Sequence, residues 1–234
     1  ELNSKLSWEV NVLATQQLIE NSVKNKVEHF IFASSGSVYG VKEEKEVTED
    51  LSLVPISTYN KTKMIAERIL KSYENDIKLH CIRPATVCGF SPRMRLDVSV
   101  NMFTFQALKS KSMSVFGGDQ IRPNIHIQDL INVYKHFISK PNLPSGFYNA
   151  GFENLKIIEI AEKVAKIIPS KINIMENNDR RSYRQNSDKL LSTGFKKKHS
   201  VTDAIKELKE MYMNKKFTES EKCYTVKWMK KLNL

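Results

Sequence analysis

Two residues of the chain stand at a spacing that suits acid–base chemistry. Tyr59 and Lys63 are four positions apart, so a helix would put both side chains on one face. A free tyrosine has a pKa of about 10, and a neighbouring ammonium favours the phenolate and so lowers that pKa. Such a pair could exchange a proton with an alcohol hydroxyl. The spacing alone is common in a chain with 37 Lys and Arg among 234 residues, so it needs support from its surroundings.

The elements around this pair bring a serine to the same place. The apolar run 27–33 is typical of a buried strand and ends just before Ser35. Residues 59–73 have one apolar face and predict a helix that opens with Tyr59, and residues 77–83 predict a second buried strand. This strand–helix–strand order indicates a parallel α/β sheet, in which ligands bind outside the carboxyl ends of the strands. Ser35 and the Tyr59 pair are therefore expected in one crevice.

The rest of the chain continues the alternation of strands and helices. Further helices are predicted at 99–110, 128–138, 155–168 and 201–213, and short strands at 115–116, 125–127 and 147–150. Residues 173–184 are polar and predict a loop. The tail 217–234 is basic and weakly helical in its pattern.

Several segments, taken in order, resemble one known family over essentially the whole chain. They are Trp8-Glu9-Val10-Asn11, Ala33-Ser34-Ser35-Gly36-Ser37-Val38-Tyr39-Gly40, Tyr59-Asn60-Lys61-Thr62-Lys63, 82–89, 117–129, 147–151 and 179–195. Their order and spacing are similar to the extended short-chain dehydrogenases/reductases, and more narrowly to the NAD-dependent nucleotide-sugar epimerases and dehydratases.

The resemblance implies roles for the matching residues. The implied catalytic residues are Ser35, Tyr59 and Lys63, with Tyr59 as acid and base and Lys63 also on the nicotinamide ribose. The implied cofactor is NAD, with NADP as the alternative, and its other contacts are Asn11, Ala33, Ser34 and Pro84. The implied substrate is a nucleotide-diphosphate sugar, contacted by Ser35, Thr86, Asn101, Arg122, Arg180 and Arg181. Arg93 and Arg95 also lie beside the expected substrate region, and no metal is implied.

The implied fold is a Rossmann-like, doubly wound parallel sheet with a small C-terminal α/β substrate lobe. Residues 1–85 would belong to the dinucleotide-binding domain and 86–234 mainly to the lobe, with 125–151 returning to the Rossmann core. The family's glycine-rich turn, which binds the pyrophosphate, matches none of the eight glycines of this chain. The resemblance places that turn upstream of Glu1, so we expect a chain shortened by about 80 N-terminal residues.

The residues after Ser35 help to distinguish between the reactions of the family. The dehydratases of the family carry acidic residues after the catalytic Thr, whereas Gly36 and Ser37 follow Ser35 and neither can act as a general acid. An epimerase that transiently oxidises a sugar carbon is therefore favoured, and an NADPH-dependent ketosugar reductase is the alternative. Because the glycine-rich turn is missing, a non-catalytic remnant that binds a nucleotide sugar or NAD is a third reading. Thr86 stands where many 4-epimerases have Asn, which argues against the classical UDP-galactose specificity.

The composition and net charge of the chain indicate which classes of binding partner to expect. The net charge of +11 suggests anionic partners or a solvated lysine-rich surface. Nucleic acid is not favoured, since no aromatic residues interleave with the basic run 196–199. Three cysteines without a pairing pattern fit a reducing cytoplasm, and no apolar run is long enough to span a membrane. By analogy with the family, we expect a homodimer.

Overall fold

The computed structural model describes residues 2–176 and 182–233. The strands are β1 His29–Ala33, β2 Lys78–Pro84, β3 Thr86–Cys88, β4 Ser112–Phe116, β5 Ile121–His126, β6 Gly146–Ala150, β7 Glu153–Lys156 and β8 Lys171–Met175. The helices are α1 Ser4–Trp8, α2 Ala14–Lys24, α3 Thr58–Ser72, α4 Ser99–Ser110, α5 Ile127–Ser139, α6 Ile157–Ile167, α7 Asp188–Ser192, α8 Val201–Met213 and α9 Thr225–Lys231.

The main sheet is parallel and positions the site. Its strand order is β1-β2-β6. The register pairs Ala33 with Ile82 on one side of β2 and Pro84 with Ala150 on the other. Because the three strands run in the same direction, their carboxyl ends meet at one edge of the sheet, where the loop that carries Ser35 begins.

Helices cover both faces of this sheet. Leu79 of β2 packs in a buried cluster with Ile19 of α2 and Leu70 of α3. Ile82 of the same strand packs in a second cluster with Phe137 of α5. The alternation follows from the strand repeat of two residues, which sends neighbouring side chains to opposite faces. The predicted doubly wound α/β architecture is confirmed.

The residues beyond β2 also build a second core. There β3, β5 and β7 form one sheet, and β4 and β8 form another. Val100 and Phe103 of α4, Ile160 of α6 and Ile205 of α8 are fully or almost fully buried together beside these strands. The pairing of β6 with β2 supports the proposed return of residues 125–151 to the main sheet, and the division of the chain at residue 85 stays a proposal.

The loop predicted for residues 173–184 is wrong at its start. Residues 173–175 belong to β8, which pairs in parallel with β4 and places Ile174 opposite Val115. Ile174 remains 67% exposed, and only Ile172 packs against the core of the second region. Because this strand buries little surface, apolar and polar residues do not alternate clearly along it, and its first residues were therefore predicted as part of a loop.

Two features of other classes of protein, a membrane-spanning helix and a cluster of metal ligands, are absent from the described residues. No helix within residues 2–176 and 182–233 is both long and apolar enough to cross a membrane. In the same ranges, no group of three or more His, Cys, Asp or Glu side chains is placed to hold a metal ion.

Candidate active site

A crevice of about 340 Å³ lies at the carboxyl ends of the main sheet. Its lining residues are Ser34, Ser35, Ser37, Tyr59, Pro84, Ala85, Thr86, Val87, Arg95, Val98 and Tyr183. Six of the residues singled out from the sequence are among them, namely Ser34, Ser35, Tyr59, Pro84, Thr86 and Arg95. Among the described residues of the lining, several carry hydroxyl groups, one carries a guanidinium and none carries a carboxylate.

Ser35 is fixed by its own turn. It is the N-cap of the short 3-10 helix Gly36–Tyr39, and its Oγ accepts a hydrogen bond from the backbone N–H of Ser37 at 3.2 Å. The two hydroxyls also share a hydrogen bond of 2.7 Å. Ser37 in turn donates to Oδ1 of the buried Asn60, again at 2.7 Å. This chain of contacts orients the Ser35 hydroxyl toward the start of α3.

Tyr59 lies in the first turn of α3, opposite Ser35. The helix is capped by Ser57, whose Oγ accepts the backbone N–H of Asn60 at 3.2 Å. The Tyr59 side chain forms a hydrogen bond with Ser35. Partial burial raises the pKa of Tyr59 above its usual value of 10.0, and the hydrogen bond to Ser35 and the charge of Arg95 oppose that rise. The nearby cation that favours the phenolate is therefore Arg95.

Lys63 joins α3 to the end of β1. Its Nζ donates to the carbonyl oxygen of Ala33 at 3.0 Å and lies 4.8 Å from the centre of the Phe32 ring. Burial lowers the pKa of Lys63, and the charge of Glu67 opposes that effect. The ammonium is thus bound to the end of β1. That Lys63 lowers the pKa of Tyr59 stays a prediction.

Asn11 supports the same helix from the N-terminal segment. It lies in a π-helical turn, Glu9–Leu13, that joins α1 to α2. Its Nδ2 donates to Oγ1 of the buried Thr62 at 3.1 Å, and that hydroxyl donates to the carbonyl of Tyr59 at 2.9 Å. Single π-helical turns within helices are frequent at functional sites. Asn11 thus acts on the backbone of Tyr59, and its role toward a cofactor stays a proposal.

A buried ion pair lies behind the crevice. Arg83 and Glu67 are 3% and 2% exposed and join through two hydrogen bonds, of 2.7 and 2.9 Å. Ser34 donates to the same carboxylate at 2.5 Å, and Arg83 also donates to the Tyr39 hydroxyl at 2.7 Å. The pair therefore ties the end of β1 to α3 and β2. Sequence reasoning missed it, although Glu67 follows Lys63 by one helical turn on the same face.

The other residues predicted to contact the substrate are spread out. Thr86 lines the crevice. Asn101 is buried, accepts the backbone N–H of Gly89 at 3.0 Å and donates to the carbonyl of Arg95 at 3.0 Å. It therefore holds the loop of residues 89–95, and its contact with the substrate stays a prediction. Arg122 lies on β5, where its Nη1 donates to the carbonyl of Ile121 at 3.2 Å. Arg180 and Arg181 lie outside the described residues.

Arg95, which was expected beside the substrate region, lines the crevice together with the polar residues Ser37 and Tyr183, which were given no binding role from the sequence. Arg95 follows β3 by seven residues and is bound through Nε to Oδ1 of Asp97 at 2.8 Å. Tyr183 lies 124 positions after Tyr59 in the sequence and also lines the crevice. Tyr183 belongs to the segment 179–195 that carries part of the resemblance, but only the tertiary fold brings Tyr183 and Arg95 to the crevice of Tyr59.

Comparison with known proteins agrees with this arrangement. The profile of the NAD dependent epimerase/dehydratase family matches residues 2–151. The chain belongs to this family. An uncharacterised UDP-glucose epimerase of Bacillus subtilis, YtcB, is 33% identical over 162 residues, and the match covers 66% of this chain. The chain spans 50% of the length of that relative. The UDP-glucose 4-epimerase of Lactobacillus helveticus is 28% identical over 225 residues, which are 85% of this chain and 68% of that one.

Solved structures of family members superpose on most of the chain. MoeE5 in complex with UDP-glucuronic acid and NAD has 25% identity and a TM-score of 0.77, and covers 88% of this chain and 71% of its own. The UDP-glucuronic acid 4-epimerase of Bacillus cereus, with UDP-glucuronic acid and NAD, has 27% identity and a TM-score of 0.75. That match covers 86% of this chain and 68% of the other. Both are NAD-bound proteins that hold a nucleotide sugar.

Proposed function

We propose that the protein is an NAD-dependent epimerase that acts on a nucleotide-diphosphate sugar through transient oxidation to a keto-sugar. The observation that carries the proposal is that Tyr59 and Ser35 line one crevice at the carboxyl ends of a parallel sheet, with no carboxylate among the described lining residues. The relatives that are named as nucleotide-sugar epimerases, and the NAD-bound structures, support the same assignment.

The residues beside Tyr59 fit the nicotinamide end of NAD. Lys63 offers an ammonium next to the end of β1, where its Nζ lies 3.0 Å from the Ala33 carbonyl, a position suited to a ribose hydroxyl. The Ser34 hydroxyl is committed to Glu67, so Ser34 would contact the ring through its backbone, beside Pro84. When bound, NAD would accept the hydride of the sugar carbon and return it.

Tyr59 would exchange the proton of the reacting sugar hydroxyl. Its phenolate would remove the proton when the carbon is oxidised, and the phenol would return it on reduction. In the free protein Ser35 donates its proton to Ser37, because Ser37 donates its own to Asn60. With substrate bound, Ser35 would turn that proton to the same sugar oxygen and keep the oxygen in place. Fixed positions for the base and the reacting oxygen supply orientation, which is a major term in catalysis.

The lining of the crevice favours epimerisation over dehydration. Elimination of water needs a general acid at the departing hydroxyl, and among the described lining residues no carboxyl group is present to supply it. Gly36 and Ser37, which follow Ser35, do not provide one. An epimerase needs only the proton exchange at one oxygen, which Tyr59 and Ser35 can perform.

The test is the turnover of the full protein with NAD and UDP-glucose or UDP-glucuronic acid, followed by NMR of the sugar. The Tyr59→Phe variant should fold normally and lose at least about 100-fold in kcat, because the proton acceptor is gone. The matched control is Tyr73→Phe, which removes the same hydroxyl at the far end of α3. Near-normal turnover of Tyr59→Phe would overturn the assignment.

A further inference from the structure

Residues 89–98, here called the crevice loop, connect β3 to α4 and supply two lining residues of the crevice, Arg95 and Val98. Buried and exposed side chains alternate along the second half of this loop. Met94 and Leu96 are each 2% exposed and belong to one apolar cluster, whereas Arg95 between them is half exposed. The burial of its two neighbours therefore determines on which side of the loop Arg95 lies.

A segment that follows α8 packs against the crevice loop. It comprises residues 217–225, here called the C-terminal strap, and its Cys223 belongs to the same buried cluster as Leu96. The Cys223 carbonyl also accepts the backbone N–H of Leu96 at 2.8 Å. Glu219 of the strap accepts a hydrogen bond from Lys109 of α4 at 2.6 Å. The strap is therefore bound both to the loop and to the helix that follows the loop.

Asp97 connects the crevice loop to the C-terminal strap through both of its carboxylate oxygens. Its Oδ1 accepts the Nε–H of Arg95 at 2.8 Å. Its Oδ2 accepts the backbone N–H of Thr225 at 3.0 Å, at the start of α9. The bond to Asp97 uses one of the five N–H donors of the guanidinium. The side chain of Arg95 is thus oriented from the strap while it keeps most of its donor capacity.

The first part of the crevice loop is held differently. The backbone N–H of Phe90 donates to Oε2 of Glu207 on α8 at 3.0 Å. A cavity of about 470 Å³ then separates loop and strap, with Arg93 on the side of the loop and Phe217 on the side of the strap. At the crevice end, the contact between loop and strap is restored by the bonds around Asp97.

We propose that Asp97 is a positioning residue, through which the C-terminal strap holds the crevice loop in the conformation that binds the nucleotide sugar. The inference rests on the proposed function, since it takes the crevice as the substrate site. A loop released from the strap would have to be ordered when the sugar binds, and affinity would fall by the fraction of time that the loop spends in place. Once the sugar is bound the loop is in place, so the reaction at Tyr59 and Ser35 should keep its rate.

The backbone N–H of Thr225 can be removed without disturbing its helix. Thr225 is the first residue of α9, a position that suits proline, and Tyr224 before it is already extended, with φ −117° and ψ 95°. Thr225→Pro therefore deletes the donor to Asp97. The matched control is Thr225→Val, which keeps the N–H and removes a hydroxyl that makes no hydrogen bond with any described residue. Asp97→Ala deletes the acceptor of the same bond.

The experiment uses the full protein with NAD and each of UDP-glucose and UDP-glucuronic acid. We measure KM and kcat by NMR, dissociation constants by calorimetry, and hydrogen exchange of peptides from the crevice loop by mass spectrometry. Relative to Thr225→Val, Thr225→Pro should raise KM and the dissociation constant about 10-fold, keep kcat within about twofold and speed up exchange in the loop. In the Asp97→Ala background, Thr225→Pro should add less than about twofold, since the bond is already lost.

Equal affinities of Thr225→Pro and Thr225→Val would overturn the inference. Faster loop exchange without weaker binding, or an undiminished effect of Thr225→Pro in the Asp97→Ala background, would overturn it as well. Should Thr225→Pro not fold, Asp97→Ala is compared with Asp97→Asn, which keeps an acceptor for the Thr225 N–H and should bind the sugar more tightly; equal affinity of these two contradicts the role of Asp97. If wild type turns over neither sugar, the proposed function fails, and loop exchange still decides whether Asp97 ties the loop to the strap.

Discussion

Lys63 donates a hydrogen bond from Nζ to the carbonyl oxygen of Ala33, 3.0 Å away, and so joins the helix of Tyr59 to the end of β1. The two ends of this contact belong to different elements, and both border the place proposed for the nicotinamide ribose. The contact sets the distance between α3 and β1 at the crevice. It also keeps the ammonium near its binding position before the cofactor enters.

The Lys63→Met variant should lose both cofactor affinity and turnover. Without the ammonium, we expect NAD to bind about 10-fold more weakly and kcat to fall about 100-fold, since one positioned charge-assisted donor is removed. The half-buried side chain adds little to the core, so thermal unfolding should change by only a few degrees. Calorimetric titration of NAD and steady-state rates check this. The matched control, Lys61→Met, removes an exposed lysine of the same helix, and an equal loss there would contradict the role of Lys63.

The pH profile reports the environment of Tyr59. Burial raises its pKa above 10.0 and the charge of Arg95 opposes that rise. The active base is the phenolate, so kcat/KM should increase with pH as Tyr59 deprotonates. In Arg95→Met the opposing charge is gone, the pKa rises further, and the increase should move to higher pH. A profile in Arg95→Met that coincides with the wild-type profile, or moves to lower pH, would show that Arg95 does not act on Tyr59.

His80 should make the protein less stable in acid. It is completely buried on β2, and burial lowers its pKa to about 4, against 6.5 for the free side chain. Its depressed pKa contributes stability that is present above pH 6.5 and is lost as the pH falls toward 4, because the unfolded chain binds the proton first. The full difference corresponds to about 3 kcal/mol of unfolding free energy.

Urea denaturation between pH 7 and 4 measures this dependence on His80. His80→Phe keeps a ring beside Phe137, whose centre lies 4.5 Å from that of His80, and removes the titrating group. The variant should lose much less stability than wild type over that pH range. His136→Phe is the matched control, because His136 is only partly buried. The same acid dependence in His80→Phe and wild type would contradict the prediction.

The buried pair of Glu67 and Arg83 should be costly to break on one side only. Arg83→Met leaves the Glu67 carboxylate buried without its cation, and we expect a loss of about 3–5 kcal/mol in unfolding free energy. The double variant Glu67→Met/Arg83→Met should recover part of that loss, since no charge is left unpaired. Denaturant unfolding of the two single variants and the double variant gives the coupling. Strictly additive losses would show that the pair does not act as a unit.

Local spacing predicted the centre of the site and little of its surroundings. Ser35 and Tyr59 could be placed together because a strand end and a helix start are read from short segments of sequence. The contacts of Asn101 with the loop of residues 89–95 could not be predicted, because they depend on how that loop folds back over α4. Tyr183 is 124 positions from Tyr59, and nothing local links them.

The charges around the pair were predicted only in part, since Arg95 was expected beside the substrate region but not as the cation that acts on Tyr59. The i, i+4 relation between Tyr59 and Lys63 places two side chains on one face but does not determine where each flexible end goes. The Lys63 ammonium donates a hydrogen bond to the Ala33 carbonyl at the end of β1. The cation that acts on Tyr59 is Arg95, from the loop after β3. Strand β8 escaped notice because a weakly buried edge strand shows little alternation.

The most direct test of the account follows the hydrogen of the reacting carbon. The full protein is incubated in deuterium oxide with NAD and each of UDP-glucose and UDP-glucuronic acid, and the sugar is examined by NMR and mass spectrometry. The account predicts a new epimer that retains its carbon-bound hydrogen, because the hydride leaves and returns within the site while only the hydroxyl proton passes through Tyr59. Deuterium on the sugar carbon, or a product that has lost water, would contradict it.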